Sequence, residues 1–134
     1  MTDPVVVALA RGGIVGITTT GRTSGRPHTV DVTLHNVDRK LVIAGRPGPR
    51  DWYANLQADP HFTIQLSGGV EADIEATAEP VTDWSARRTL MERVMIKGFG
   101  FSPERTQREL HFWVTRSPLV LVNAAWPGWV NTPN

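Results

Sequence analysis

Residues 70–78 constrain the fold most tightly, because Val70, Ala72, Ile74, Ala76 and Ala78 alternate with Glu71, Asp73, Glu75 and Thr77. A helix would scatter the three acids around its circumference. A strand puts them on one wet face and the aliphatic set on the other. Such a strand needs neighbours to pair with and an apolar layer behind it. The same period of two recurs at Phe62, Ile64 and Leu66, which alternate with Thr63 and Gln65 and lead into a Ser67-Gly68-Gly69 turn. It recurs again where Val30, Val32 and Leu34 alternate with Thr29, Asp31, Thr33 and His35. Ile14 to Thr20 is β-branched almost throughout, and the short apolar runs Leu41 to Ala44 and Leu119 to Val122 read as strands; the first lacks alternation, as expected of a strand covered on both faces.

Helix signals fall between these strands. Asp3 before Pro4 predicts a cap and first residue for a short helix that Gly12 and Gly13 stop. The loop 45–50 holds two glycines and two prolines and delivers a helix over Asp51 to Gln57, with Trp52, Tyr53 and Leu56 on one face and Asp59-Pro60 as its end. Thr82 is the predicted cap of a helix from about residue 83 to 97, broken by Gly98-Phe99-Gly100-Phe101. Ser102-Pro103-Glu104 then restarts a helix reaching about Trp113. Six strands in mostly antiparallel hairpins, with short helices inserted, predict a mainly β (α+β) domain built as a small closed or half-closed barrel. The regular strand and helix alternation of a doubly wound parallel sheet is missing. With 134 residues the chain is expected to form one domain over 1–134. The tail Trp126-Pro127-Gly128-Trp129 is expected to pack on the barrel or on a partner, since two exposed tryptophans are a liability.

Composition removes several functions. The chain has no cysteine, so disulfides, thiolate metal sites and cysteine nucleophiles are excluded. Its four histidines are scattered, and His28 and His35 fall on opposite faces of one strand, so no metal site is expected. No serine stands in a nucleophile-elbow context. The acidic N-terminal start and the lack of a long apolar stretch predict no secretion signal and no membrane span, hence a soluble, cytoplasmic protein. Net charge is +1, but residues 11–50 carry seven basic side chains against Asp31 and Asp38, while residues 51–83 carry seven acids and no lysine or arginine. A basic first third suits an anionic ligand. It contains no aromatic residue before Trp52, which argues against nucleic acid as the partner.

Within that basic third, Thr18-Thr19-Thr20-Gly21-Arg22-Thr23-Ser24-Gly25-Arg26-Pro27 has the make-up of an anion grip. Glycines at 21 and 25 permit backbone angles closed to other residues, so successive amides could converge on one group. Arg22 and Arg26 supply two guanidinium forks, and Thr20, Thr23 and Ser24 add neutral donors. The same composition also makes an ordinary solvated hairpin turn. Trp52 and Tyr53 read either as an aromatic wall for a bound ring or as core packing.

The run from Thr18 to Pro27, followed by Asp51-Trp52-Tyr53-Ala54-Asn55-Leu56 and Ala58-Asp59-Pro60, resembles the deazaflavin-dependent nitroreductase family over roughly residues 14–80. The resemblance implies a six-stranded split β-barrel, FMN-binding-like, and coenzyme F420 as cofactor. It further implies that Arg22, Thr23, Ser24, Gly25 and Arg26 hold the phosphate and tail carboxylates. His28, Thr29, Val30, Asp31, Val32 and Thr33 would run along the cofactor, Val42, Ala44, Gly45 and Arg46 would lie beside the ring, and Trp52 and Tyr53 would close it. Thr23 stands where that family usually has a lysine, and His28 where it usually has an arginine. The implied activity is hydride transfer from reduced F420 to a small hydrophobic acceptor such as a quinone, activated alkene or nitroarene. No catalytic acid is assigned; Tyr53 is the only tyrosine. The alternatives are an FMN-dependent reductase and a non-catalytic carrier of a lipid, haem or other apolar ligand in the same barrel. A homodimer is the expected assembly.

Overall fold

The computed structural model describes residues 2–132. Six strands, β1 (Gly13–Thr20), β2 (Pro27–Val37), β3 (Lys40–Ala44), β4 (His61–Leu66), β5 (Ala72–Pro80) and β6 (Leu119–Ala124), close into a barrel in the order β1-β2-β3-β6-β5-β4. Every neighbouring pair is antiparallel, and β4 returns to β1 through Gly16 to Thr19 against Phe62 to Gln65. Closure leaves no long free edge. Alternation decides what faces inward: Ile17, Ile43, Ile64, Ile74, Val120 and Val122 are buried inside, joined by Leu9 of helix α1 (Pro4–Arg11).

A second apolar layer lies outside the barrel wall. Helices α3 (Trp84–Arg93) and α4 (Pro103–Arg116) cover β3, so that Val42, Ala44 and Leu119 pack against Met91, Met95, Leu110 and Trp113. This second layer is why Leu41 to Ala44 shows no alternation: alternate residues serve two different cores. Arg87 bolts the layer down, donating to the carbonyls of Val114, Val81 and Ser117 at 2.8, 2.7 and 2.6 Å.

The caps at Asp3 and Ser102 form as predicted, accepting from Val5 N and Arg105 N at 2.9 and 3.1 Å. Other boundaries move. Asp83, not Thr82, caps α3, its carboxylate accepting from Ala86 N at 3.0 Å. The predicted helix to residue 97 ends as α at Arg93 and continues as a wider π turn over Val94–Gly98. Helix α4 runs on to Arg116. Strand β5 starts at Ala72, since Gly68 and Gly69 at φ of 80° and 121° carry the turn past Val70. The tail packs on its own barrel: Trp129 is buried, Trp126 Nε1 donates to Asp3 Oδ2 at 2.9 Å, and Asn131 Nδ2 donates to the Val122 carbonyl at 2.8 Å.

Candidate functional site: a cationic cleft between the β1–β2 turn and helix α2

Helix α2 (Asp51–Ala58) lies beside the turn that joins β1 to β2, and a cleft of about 370 Å3 opens between them. Its walls include Thr19, Arg22, Thr23, Ser24, His28 and Val30 from the hairpin, with Trp52 and Asn55 from the helix. The spacing of the helix explains its contribution. Trp52, Asn55 and Leu56 are its buried positions, three and four residues apart, so one polar residue is carried inward with two apolar ones.

That polar residue organises the turn. Asn55 Oδ1 accepts from Arg22 N at 3.1 Å and from Arg22 Nη1 at 2.8 Å, while its Nδ2 donates to Thr19 Oγ1 at 3.2 Å. Arg22 Nη2 reaches Asp51 Oδ1 at 3.2 Å, a pair worth little by itself because Asp51 is almost fully exposed. The arginine is therefore braced against α2 while it lines the cleft.

Four of the turn's amides are held by acceptors of the protein itself. Gly21 N donates to the Arg26 carbonyl, Gly25 N to the Gly21 carbonyl, Arg26 N to Ser24 Oγ and Arg22 N to Asn55. Those four donors are satisfied by the turn and by α2, whereas the amides of Thr23 and Ser24, which line the cleft, donate to no acceptor among the described residues and stand beside the side chains as donors to an anion. The glycines have separate reasons. Gly25 sits at φ 70°, whereas a Cβ on Gly21 would fall 2.5 Å from Ser24 Oγ and 2.7 Å from His28 Nε2. Ser24 Oγ and His28 Nε2 are 3.3 Å apart and close one wall.

The remaining predicted residues are dispersed. Gly25 and Arg26 lie exposed in the turn, while Thr29, Asp31 and Thr33 point to the outer face of β2 and Val32 is half-buried against the barrel core. Thr29 Oγ1 bonds to Thr18 Oγ1 at 2.8 Å. Val30 is 41% exposed because it stands at the cleft rather than beneath a covering layer. Val42 is fully buried and Ala44 nearly so under α3 and α4, which leaves Val42 no surface to offer a ligand in this conformation. Gly45 lies against Pro118 and Arg50, and Arg46 stacks over Phe99 with its guanidinium carbon 5.0 Å from the ring centre. Trp52 is buried and Tyr53 half-buried, edge to face at 5.9 Å. Asn55, Asp51 and Thr19 had no role assigned from sequence. The buried helical spacing of Asn55 with Trp52 and Leu56 was the available signal.

A closed six-stranded antiparallel barrel with peripheral helices is the split-barrel, flavin-binding-like fold. Solved structures agree on the fold. A conserved hypothetical protein of Mycobacterium tuberculosis superposes with a TM-score of 0.73 at 16% identity, covering 94% of this chain and 82% of that one. An F420-H2 dependent reductase (FDR-A) gives 0.54 at 23% identity, over 82% and 93%. An FAD-binding protein of Mesorhizobium loti gives 0.58 at 10% identity, over 94% and 91%. No curated protein sequence matches the chain. The sequence profile of the F420H(2)-dependent quinone reductases matches residues 2–117, and the chain belongs to that family. It is accordingly an F420-dependent oxidoreductase, with coenzyme F420 as the cofactor its family implies. No helix among the described residues is long and apolar enough to cross a membrane.

Proposed function

We propose that the protein transfers a hydride from reduced F420 to a small, hydrophobic, electron-poor acceptor of the quinone class, with activated alkenes and nitroarenes as chemically related acceptors. The observation that carries this reading is the cleft between the β1–β2 turn and α2. Its donors are Arg22, Thr23, Ser24 and His28, and its one acid, Asp51, is already paired with Arg22. That donor set fits a phosphate with an adjoining carboxylate, and glycine at 21 is what lets Ser24 Oγ and His28 Nε2 close over the turn. At about 370 Å3 the cleft suits the anionic arm of the cofactor rather than its tricyclic ring.

Bound reduced F420 supplies the hydride, so the chain's own task is placement. Arg22, braced by Asn55, orients the anionic arm, and Arg26 stands at the edge of the turn to meet further tail carboxylates. His28 and Val30, which wall the cleft, run along the arm, whereas Thr29, Asp31 and Thr33 alternate to the other face of β2 and take no part in this wall. Trp52 excludes water from the helix side of the cleft, with Tyr53 packed edge to face on it from behind. The protein acts as a homodimer in this reading, in keeping with a split-barrel neighbour described as a domain-swapped dimer.

Titration with oxidised F420, followed by its fluorescence, tests binding; the expected result is a saturable change, and none at tens of micromolar would sink the reading. The variant carrying Arg22→Ala and Arg26→Ala should bind about tenfold more weakly or worse, with the loss growing as the glutamate tail lengthens. Equal binding by wild type and variant would reduce the turn to a solvated hairpin.

A further inference from the structure

A second cleft, of about 540 Å3, lies at the opposite end of β2. Its walls come from the C-terminal end of α1, the β2–β3 hairpin and the π turn, and they carry Arg11, Arg39, Arg93 and Lys97 against one acid, Asp38. Arg93 Nη2 is paired with Asp38 Oδ1 at 2.9 Å, and Arg39 stacks on Trp129 at 5.1 Å. Arg11 and Lys97 take part in none of the ion pairs among the described residues. The cleft thus holds a surplus of positive charge with two cations uncommitted.

His35 forms part of its floor. The residue is only 8% exposed, and its Nε2 is enclosed without any hydrogen-bond partner. A bare ring lone pair costs less in apolar surroundings than a bare N–H, so the single proton of the neutral ring belongs on Nδ1. The Nδ1–Cε1 edge lies against Gly98, which itself lines the cleft; a Cβ at residue 98 would fall 2.6 Å from both atoms. Two unusual local features thus serve one close approach. The π turn over Val94–Gly98 widens the end of the helix, and glycine at 98 leaves the imidazole room. π turns of this kind occur often at functional sites.

We propose that this cleft is a second anion-binding site, taking a small carboxylate or phosphate-bearing molecule with His35 Nδ1–H as the donor at its floor and Arg11 and Lys97 as countercharges at its rim. It is independent of the F420 cleft. His28 and His35 mark the two sites, and seven residues of extended strand separate them by about 23 Å.

The test uses inorganic phosphate on the full-length protein, against sodium chloride at matched ionic strength, with the His35 ring resonances as the readout. Saturable movement of those resonances is expected, together with a rise in the ring's titration midpoint as phosphate is added. Lys97→Glu and Arg11→Glu, both at exposed positions, should each weaken phosphate binding about tenfold, while Arg26→Ala should leave it unchanged. His35 resonances that phosphate at tens of millimolar moves no further than chloride does would overturn the proposal. So would displacement of the phosphate by F420, which would make the cleft part of the cofactor site. Failure of F420 to bind at all would leave this site standing and fall on the reading in the previous section.

Discussion

Replacing Asn55 with alanine should uncouple the β1–β2 turn from helix α2 without touching the barrel. Three hydrogen bonds disappear together: from Arg22 N, from Arg22 Nη1 and to Thr19 Oγ1. The two neutral bonds are worth about 1 kcal/mol each; the charged one is taken at about 1 because the Arg22 side chain is 42% exposed. Alanine recovers about 0.5 kcal/mol through its better helix propensity. The net loss is about 2.5 kcal/mol, or roughly 10 °C in melting temperature for a chain of this size. Differential scanning calorimetry measures that shift, and a cycle with Arg22→Ala isolates the coupling, expected near 1 kcal/mol. F420 affinity should fall as well, because the freed guanidinium loses its fixed direction. An Asn55→Ala protein that melts within about 2 °C of wild type would show that the network contributes nothing, and with it the preorganised turn would be lost as an idea.

Gly21→Ala should separate stability from binding. The nearest atoms to the new Cβ are Ser24 Oγ and His28 side-chain atoms, both on exposed residues able to rotate toward solvent, so the melting temperature should drop by only a few degrees, while F420 affinity falls about tenfold as that wall opens. Equal losses in both would refute the division. Burial holds the titration of His35 below its ordinary value of 6.5, so between that depressed value and 6.5 the unfolded chain carries the proton and the folded chain does not. The neutral form is the one that stabilises, so stability is at its full value above 6.5 and declines as pH falls below it. Denaturant midpoints measured downward from neutral pH should show a slope that His35→Phe reduces; identical slopes would contradict the burial argument.

How much of this was legible depended on the range of each interaction. The strand pattern and the caps at Asp3 and Ser102 are local, and they read correctly because alternation and a capping oxygen act within a few residues. Asp83 displaced Thr82 as a cap because both are good capping residues and only the backbone entering α3 decides between them. The continuous run Leu41 to Ala44 announced two covered faces without saying what covers them. The family resemblance placed Val42 beside a ligand, although Met91 and Met95, some fifty residues later, lie in the layer that buries it. The π turn was read as plain helix because its setting is a contact between Gly98 and His35, more than sixty residues apart. In the site, the turn residues stood out by composition and Asn55 did not, since a lone asparagine in a helix acquires meaning only when Arg22 arrives from another element.

That contact also bears on the missing cations of the turn. Thr23 and His28 stand where the resembled family usually has lysine and arginine, which would leave a flexible grip short of charge. Immobilising a long side chain on binding costs about 0.5 to 1.5 kcal/mol. Arg22 bears part of that cost on folding, through Asn55 and Asp51, before any anion arrives. Its fork is planar and directional, so fixing its orientation retains more than fixing an ammonium would. One held guanidinium thus offsets part of what two free cations would add, on the condition that Asn55 stays where α2 puts it.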